Sequence, residues 1–474
     1  MEQEWEKDMI EKDGKKLYPL TAAQKLHFYY QQFCPKKQVL NIGTSLTIQQ
    51  SLDFGALKEA VYRAYARCEA MRLRFTQDEK GNVYQYVAER EERDIEFFSF
   101  AGWQECHAQD KMREWTEIPF ERFDSPLNRV IMIITPDGYQ GIYLLVDHMT
   151  MDAQSIVCFM RDVIELYCNM KYEGIDYPQN MASYIEQLEK DLAYEAGSKK
   201  KEKDIQFFEN LISESEPVFN GVSGTGQLEE ERKTMKNEKI RAVTNVSDNV
   251  DAAIDVFQLE AQPSERMLRF CEENHISMVC LLMMGLRTYL QKENGNDDVS
   301  IVTTVARRAT LLEKKSGGTR IHCFPFRSIV SREDTFMEGL LKIRDGQNRL
   351  FRHADYDPTA YYAYRNKCYD LKAGQTYEPL SLTYQPLTLK GKGLERLGDI
   401  QYKSAWYSNG ACAHALYLTV MHRAQDNGLN FSFEHQRGAI SYETLQRVYY
   451  YLCRILFKGI DHPDMTVGEI IDSV

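Results

Sequence analysis

The chain has 474 residues, of which 43% are hydrophobic and 12% aromatic, so it can bury a large core and need not be disordered. Its 58 lysines and arginines face 70 aspartates and glutamates, and the formal net charge of -12 disfavours nucleic acid as a partner. The eleven cysteines are scattered and never spaced as Cys-x-x-Cys, which is typical of a reducing compartment rather than of a disulfide or zinc framework.

Neither a membrane span nor a secretion signal is expected from the sequence. The apolar run VCLLMMGL at 279–286 is far shorter than the roughly 20 residues that cross a bilayer. The N-terminal segment 1–16 is charged throughout and contains no apolar stretch of the signal-peptide type. These features predict a cytoplasmic protein without a membrane partner.

Hydrophobic periodicity predicts one mixed α/β unit in the first half of the chain. The predicted elements are a capped helix after the turn at 21–24, a strand at 41–49, a helix at 56–71, a hairpin around Gly81-Asn82, strands at 129–135 and 142–146, and an amphipathic helix after Asp152. Residues 213–250 are poor in aliphatic side chains, which favours an exposed connection.

The second half repeats the same style of pattern. Its predicted elements are helices at 264–274, 278–292, 335–351 and 442–457, and strands at 299–305, 321–330, 380–384, 414–422 and 429–435. We therefore predict an α/β protein with a mixed sheet in each half, divided into an N-terminal lobe (1–180), a helical and polar connection (181–250) and a C-terminal lobe (251–474).

One segment carries a candidate reactive group. In GIYLLVDHMTMDAQS at 141–155, a hydrophobic strand leads through a turn into a helix. His148 at the strand end can face a cleft and act as a base, and Asp152 at the helix start can cap the helix and bind an arginine. In isolation the same pattern fits a plain N-cap and a structural histidine. No third ligand is suitably spaced, and His353, His414, His422 and His435 are too scattered, so no metal site is expected.

The surrounding motifs resemble, in order, those of the condensation domains of nonribosomal peptide synthetases. DHMTMDA at 147–153 is similar to the central His-His-x-x-x-Asp-Gly pattern of that family. The other similar segments are YPLTAAQ at 18–24, RCEAMRLRF at 67–75, FERFDSPLNRV at 120–130, DDVSIVTTVARR at 297–308 and GTRIHCFPFR at 318–327, the last with Arg320, His322 and Cys323 as departures.

The resemblance implies a fold and a set of site residues. It implies two chloramphenicol-acetyltransferase-like lobes forming a V, a pseudo-dimer with the active site in the tunnel between them. His148 would be the general base or the group that positions an amine. Asp152 would form a structural salt bridge with Arg308, or with the neighbouring Arg307, and so hold the turn that aims His148.

Further substrate contacts are expected around this histidine. The backbone N–H of Ala153 lies at a predicted helix N-terminus and is a candidate oxyanion contact. Ser381 and Thr383, in the strand SLTYQ at 381–385, resemble the segment that faces the active histidine in the superfamily. Alternatively, the hydroxyls of Ser381 and Thr383 face outward from the strand and contact no substrate.

Two departures from the central motif affect the prediction. Asp147 stands where the family has its first, noncatalytic histidine, and Ala153 stands where it has glycine. The methyl group of the alanine would narrow the side of the active site where the acceptor enters. If the backbone angle there requires glycine, the alanine would instead lower the stability of the protein by about 1 kcal/mol. Asp147, Asp152 and Ser155 also match the Asp-x-x-x-x-Asp-x-x-Ser pattern of heterocyclisation domains, but the presence of His148 favours simple condensation.

The implied reaction joins an acyl or peptidyl thioester to an amine to give an amide. The donor would sit on the phosphopantetheine of a carrier protein acting in trans, or on coenzyme A, with no permanently bound cofactor. No adenylation, carrier or thioesterase motif appears, so a freestanding monomer is expected. Ester formation from an acyl-coenzyme A and an alcohol, and a noncatalytic module that docks carrier proteins, are the alternatives.

Overall fold

A computed structural model describes residues 9–12, 14–90, 93–244, 249–386, 401–412, 414–423 and 426–474. Residues 1–8, half of the segment from which the absence of a secretion signal is predicted, lie outside this range. In the part of the chain that is described, no helix combines the length and the apolar composition needed to span a bilayer.

Strands and helices alternate along both halves of the chain. The strands are β1 (Ile10–Lys12), β2 (Lys15–Pro19), β3 (Asn41–Ile48), β4 (Leu73–Gln77), β5 (Val83–Val87), β6 (Glu96–Ser99), β7 (Asn128–Ile134), β8 (Gln140–Asp147), β9 (Val243–Thr244), β10 (Ala252–Leu259), β11 (Asp298–Val305), β12 (His322–Ile329), β13 (Gln375–Thr376), β14 (Ser381–Gln385), β15 (Tyr402–Tyr407), β16 (Leu416–His422) and β17 (Leu429–Gln436). The helices are α1 (Ala22–Phe33), α2 (Phe54–Arg67), α3 (Glu105–Thr116), α4 (Ala153–Lys171), α5 (Tyr184–Ala196), α6 (Lys199–Glu214), α7 (Gly226–Met235), α8 (Ala261–Glu273), α9 (Met278–Asn294), α10 (Leu311–Lys315), α11 (Phe336–Arg352), α12 (Pro358–Tyr369), α13 (Tyr442–Asp461) and α14 (Val467–Ser473).

These elements form two compact units, each built from three segments of the chain. The first unit comprises the described residues of Met1–Glu202, Ala306–Ile321 and Leu387–Ala411, and the second those of Lys203–Val305, His322–Pro386 and Cys412–Val474. The units do not coincide with the ranges 1–180, 181–250 and 251–474, because two segments from the second half of the sequence belong to the first unit. Local hydrophobic periodicity does not indicate that a segment late in the sequence packs in the first unit.

The first unit is organised around a mixed five-stranded sheet. Its strand order is β15-β3-β8-β7-β6, with β6 and β7 parallel and the other pairs antiparallel. Helices α2 and α4 cover one face with buried residues such as Val61 and Phe159, because each helix carries apolar side chains along one stripe. On the other face an aromatic cluster of Trp115 and Tyr143 packs beneath α3. A separate four-stranded sheet has the order β1-β2-β5-β4.

The second unit contains a mixed six-stranded sheet in the order β10-β17-β16-β14-β11-β12. Strand β14 runs parallel to both of its neighbours, and the remaining pairs are antiparallel. Helix α9 lies at the centre of the core between α11 and α13, which explains why its sequence is apolar on every side. The prediction of mixed α/β sheets in both halves is confirmed.

The described residues of the polar stretch 213–250, which are 213–244 and 249–250, include more structure and more buried side chains than an exposed connection would have. They contain α7 and the strand β9, which pairs with β13. Phe219, Leu228 and Val243 are buried with Tyr377 in a small cluster of their own. The prediction of an exposed connection is therefore wrong for these residues, because a few well-placed apolar side chains are enough to anchor a segment that is polar on average.

Candidate active site

The candidate site is built on the junction between β8 and α4 in the first unit. The last residue of β8, Asp147, pairs with Asn41 of β3, and the next residue, His148, donates its backbone N–H to the Leu40 carbonyl at 2.8 Å. The Asp147 carbonyl accepts from the backbone N–H of Thr150 at 2.9 Å. Ladder and turn hydrogen bonds thus fix the backbone on which the histidine is mounted.

Asp152 caps α4 and is held by an arginine from a distant part of the chain. Its carboxylate accepts from the Ser155 backbone N–H at 3.0 Å, and Arg308 Nη2 lies 2.8 Å from both of its oxygens. The backbone N–H of Arg320 donates to Oδ2 at 3.1 Å. Burial alone would raise the pKa of the Asp152 carboxyl, but the charge of Arg308 and these hydrogen bonds outweigh burial and leave the pKa below its usual 3.8.

Ser155 connects this ion pair to a glycine turn. Its hydroxyl accepts from Arg308 Nη2 at 2.7 Å and has two acceptors for its own hydrogen, the Gly318 carbonyl at 2.6 Å and Asp152 Oδ1 at 3.0 Å. Gly318 has a φ of +79°, and a Cβ there would lie 2.4 Å from the Tyr184 ring. Only glycine fits at that position. Ser155 is therefore a buried part of the scaffold around Asp152.

A second ion-pair group lies beside the first and was not anticipated. Arg320 is buried and forms an ion pair with Asp191 of α5, and its Nε donates to the Arg307 carbonyl at 3.1 Å. Arg307 Nη2 lies 3.5 Å from Asp191, and its backbone has the unusual φ of +51°. The structure thus brings Arg308 to Asp152 and directs Arg307 to a different carboxylate. Arg320, a departure from the family pattern in the segment 318–327, thus adds a charge that is paired with Asp191.

Asp147 also has a partner. Its carboxylate is 1% exposed, lies 2.8 Å from Arg122 Nη2, and accepts the backbone N–H of Met149 at 2.9 Å. Arg122 belongs to the segment FERFDSPLNRV that precedes β7. An aspartate in place of the family histidine is therefore matched by an arginine in the same unit.

The imidazole of His148 is subject to the charges of these two ion-paired carboxylates and lies against another imidazole. The ring of His27, from α1, stacks on it with a centroid distance of 4.1 Å and an interplanar angle of 25°. Burial lowers the pKa of the His148 imidazole below its ordinary 6.5, and the charges of Asp152 and Asp147 only partly oppose that effect. Near neutral pH the ring is therefore uncharged and keeps a lone pair available.

His27 is the functional candidate that the sequence analysis missed. It lies in the helix that follows the first family-like motif, and only its position one helical turn after Gln24 could have drawn attention to it. Periodicity treats such a residue as an ordinary polar position on an amphipathic helix.

The remaining predicted contacts fall in two places. Ala153 is the first residue of α4 and is absent from the residues with positive φ, so the backbone there does not require glycine. Its N–H is one of the unpaired donors at a helix N-terminus. Ser381 and Thr383 lie on β14 of the second unit, and both are buried, which excludes solvent-facing hydroxyls. Among the described residues, no cluster of three or more histidine, cysteine, aspartate or glutamate side chains is arranged to hold a metal.

Comparison with known proteins gives one family. The family model described as the condensation domain matches residues 15–471. The chain is 24% identical over 469 residues to surfactin synthase subunit 1 of Bacillus subtilis (strain 168), covering 96% of this chain but only 12% of the length of that subunit.

Solved structures give the same fold. The first condensation domain of the calcium-dependent antibiotic synthetase, in complex with a substrate analogue, superposes with a TM-score of 0.77 at 19% identity, covering 96% of this chain and 98% of that one. The starter condensation domain of rhizomide synthetase, a mutant in complex with C8-CoA and Leu-SNAC, gives a TM-score of 0.77 at 16% identity, covering 97% and 96%. Since the family model spans nearly the whole sequence, this chain belongs to the condensation-domain family of nonribosomal peptide synthesis.

Proposed function

We propose that this chain is an acyltransferase that forms an amide between a thioester-bound acyl group and an amine, with His148 acting on the amine. The observation that carries the proposal is an uncharged, partly buried imidazole at a strand–turn–helix junction whose two flanking carboxylates are both paired with arginines. Membership of the condensation-domain family supports the same conclusion.

The proposed step needs one base and one oxyanion contact. The amine nitrogen attacks the thioester carbonyl carbon, the new C–N bond forms, and the C–S bond breaks to release the thiol. The proton that leaves the nitrogen passes to His148 and is then available for the departing thiolate. The backbone N–H of Ala153 at the start of α4 would stabilise the negative charge that develops on the carbonyl oxygen.

Asp152 and Arg308 would act as positioning residues in this scheme. Both are buried, and the oxygens of Asp152 are occupied by Arg308, the Ser155 N–H and the Arg320 N–H. A carboxylate with these partners has little capacity left for substrate. The same reasoning applies to Asp147 and Ser155, and it disfavours their use as the reactive groups of a heterocyclisation site.

The donor that we propose is an acyl or peptidyl group on a carrier protein, with an acyl-coenzyme A as the alternative thioester. The starter condensation domain of rhizomide synthetase, as a mutant, forms a complex with C8-CoA and Leu-SNAC. These two compounds are therefore practical probes for the donor and the acceptor sides. Whether the carrier acts in trans and whether the chain is freestanding and monomeric stay predictions.

The test compares wild type with His148→Ala and with a matched control, His107→Ala, which alters an exposed histidine on α3. Each protein is incubated with C8-CoA or carrier-linked acyl thioesters and with Leu-SNAC, pooled amines and alcohols, and products are identified by mass spectrometry. We expect an amide from wild type and the control, and a rate at least about 100-fold lower from His148→Ala.

The outcomes separate the candidate functions. A product with the mass of an ester would show that the acceptor is an alcohol and not an amine. A product lighter than the amide by one water would indicate ring closure. A His148→Ala variant as active as wild type would contradict the role of the histidine. If no thioester is consumed while a carrier protein still binds, the chain is a docking module and not an acyltransferase.

A further inference from the structure

Helix α1 contacts the candidate active-site turn through two side chains on the same face. Gln24 and His27 are three residues apart and so face the same side of the helix. The Gln24 amide donates to the Met149 carbonyl at 3.4 Å and to Gln85 at 2.8 Å, which ties α1 to the residue directly after His148. His27, which is 7% exposed, places its ring against the ring of His148.

The helix itself is rigidly fixed at this end. Thr21 and Gln24 form a reciprocal capping box, and Gln24 also donates to the Tyr184 hydroxyl at 3.1 Å. Rings at a centroid distance of 4.1 Å and an angle of 25° are in face-to-face contact, so neither can rotate freely while the other stays in place.

We infer that His27 is a positioning residue for His148, whose stacked ring holds the plane of the reactive imidazole and disfavours a proton on it. The inference rests on the proposed function, since it assigns His27 a part in that same reaction.

The electrostatics around the pair support the second part of the inference. Two imidazolium rings at this distance repel each other, so protonation of one opposes protonation of the other. The carboxylates that contribute to the potential at His148 are Asp147 and Asp152, and each is already paired with an arginine, Arg122 and Arg308 respectively. Both carboxylates favour a proton on His148, but their pairing with arginines weakens that support.

The experiment uses His27→Leu, which removes the aromatic ring, and His27→Phe, which keeps a stacked ring without a titratable nitrogen. His107→Gln, on the exposed surface of α3, is the control. Both kcat and KM for Leu-SNAC are measured from about pH 5 to about pH 9. We expect His27→Leu to lower kcat about tenfold with KM changed less than about twofold, with kcat referred to the concentration of folded protein so that a folding defect does not imitate the effect.

His27→Phe separates the two contributions of the ring. We expect it to recover most of kcat, because the stack is kept, and to move the acid limb of the rate profile upward by about half a pH unit to one unit, because the repulsion is lost. Thermal unfolding of each variant checks that the fold is kept.

A second readout does not depend on turnover. Histidine labelled with carbon-13 at Cε1 is incorporated into wild type, His27→Phe and the control, and the His148 resonance is followed through a pH titration. A higher midpoint in His27→Phe than in wild type supports the inference even if no product is ever formed, in which case only the proposed function fails. Identical kcat, KM, acid limb and His148 midpoint in all the proteins would overturn the inference.

Discussion

The two units of this chain build the same local motif, a hairpin that leads through a short turn into a long helix, and use it differently. In the first unit the hairpin β7–β8 leads to α4, and in the second the hairpin β16–β17 leads to α13. Asp152 and Ser441 are the respective N-caps, and each accepts the backbone N–H three residues further along, at 3.0 and 3.2 Å. Both junctions carry a histidine near the end of the second strand.

The difference between the junctions lies in what those histidines contact. His435 of β17 has both ring nitrogens in use, Nδ1 with the Ile440 carbonyl at 3.1 Å and Nε2 with Asp255 at 2.8 Å. Within the described residues His148 Nδ1 has no hydrogen-bond partner, and the ring stacks on His27 instead. One junction therefore uses its histidine to close a turn, whereas the other leaves a polar group available. A strand–turn–helix with a histidine is not by itself a sign of catalysis.

Replacing the histidines should give the largest contrast. We expect His148→Ala to lower amide formation at least about 100-fold, because the proton of the attacking amine then has no acceptor. His435→Ala should leave kcat within about twofold of wild type, since the two ring nitrogens are bonded to Ile440 and Asp255, which are not part of the candidate site. Steady-state rates on C8-CoA and Leu-SNAC check both. Equal losses in the two variants would mean that the comparison reflects stability alone.

Removing the Asp152 carboxylate should be the most damaging change to stability. Asp152→Ala deletes an N-cap and leaves the buried Arg308 without its ion-pair partner. The expected loss in the free energy of unfolding is about 3–5 kcal/mol, measured by urea titration. Asp152→Asn keeps the cap but not the charge, so it should fall between wild type and alanine. A loss below about 1 kcal/mol for Asp152→Ala would show that the ion pair adds little.

A smaller effect is expected at the other carboxylate. Asp147→Asn leaves Arg122, whose side chain is 12% exposed, without its counter-charge. We expect a loss of about 2 kcal/mol, less than for Asp152 because water can partly solvate this guanidinium. The matched control is Asp255→Asn in the second unit, where the partner is His435. If Asp147→His, which restores the family pattern, is more stable than wild type, the aspartate is not adapted to Arg122.

The pH dependence of the reaction tests the electrostatic contrast. The folded-state pKa of His148 lies below 6.5, so the unfolded chain binds its proton more readily than the folded one. Its contribution to stability is therefore complete above pH 6.5 and decreases as the pH falls towards the folded-state pKa. In the same way kcat should reach its plateau near neutral pH and fall about tenfold per pH unit only below a midpoint under 6.5. An acid midpoint above that value would contradict a ring that is uncharged near neutral pH.

Much of this arrangement follows from local sequence, and the rest depends on contacts that no local pattern encodes. The alternation of apolar residues in β8 and the stripe of Ile156, Phe159 and Val163 in α4 predict the junction. Arg308 is associated with Asp152 only through the family resemblance, because the two residues are 156 positions apart.

The partners of Asp147 and His148 could not be predicted from local sequence for the same reason. Arg122 and His27 approach the turn through the fold of the first unit, and each is an unremarkable polar residue in its own segment. Sheet registers such as β15 against β3, which join residues more than three hundred positions apart, are equally absent from local periodicity. Local sequence therefore predicts the strand, the turn and the helix that carry His148, but not the approach of Arg122 and His27 to that turn.

The smallest expected effect belongs to the exposed N-cap of the second junction. Ser441 lies at the surface, accepts the Thr444 N–H and contacts the Thr444 hydroxyl, and among the described residues no ion pair reaches this cap. Ser441→Ala should therefore lower the free energy of unfolding by about 1 kcal/mol and leave catalysis unchanged. Both Ser441→Ala and Asp152→Ala remove a helix-capping hydrogen bond of the same type, but only Asp152→Ala also removes a buried ion pair. The difference between their losses of stability therefore gives the contribution of the ion pair. If both variants lose the same stability, the buried arginine contributes nothing beyond the cap, and the two junctions differ only in their histidines.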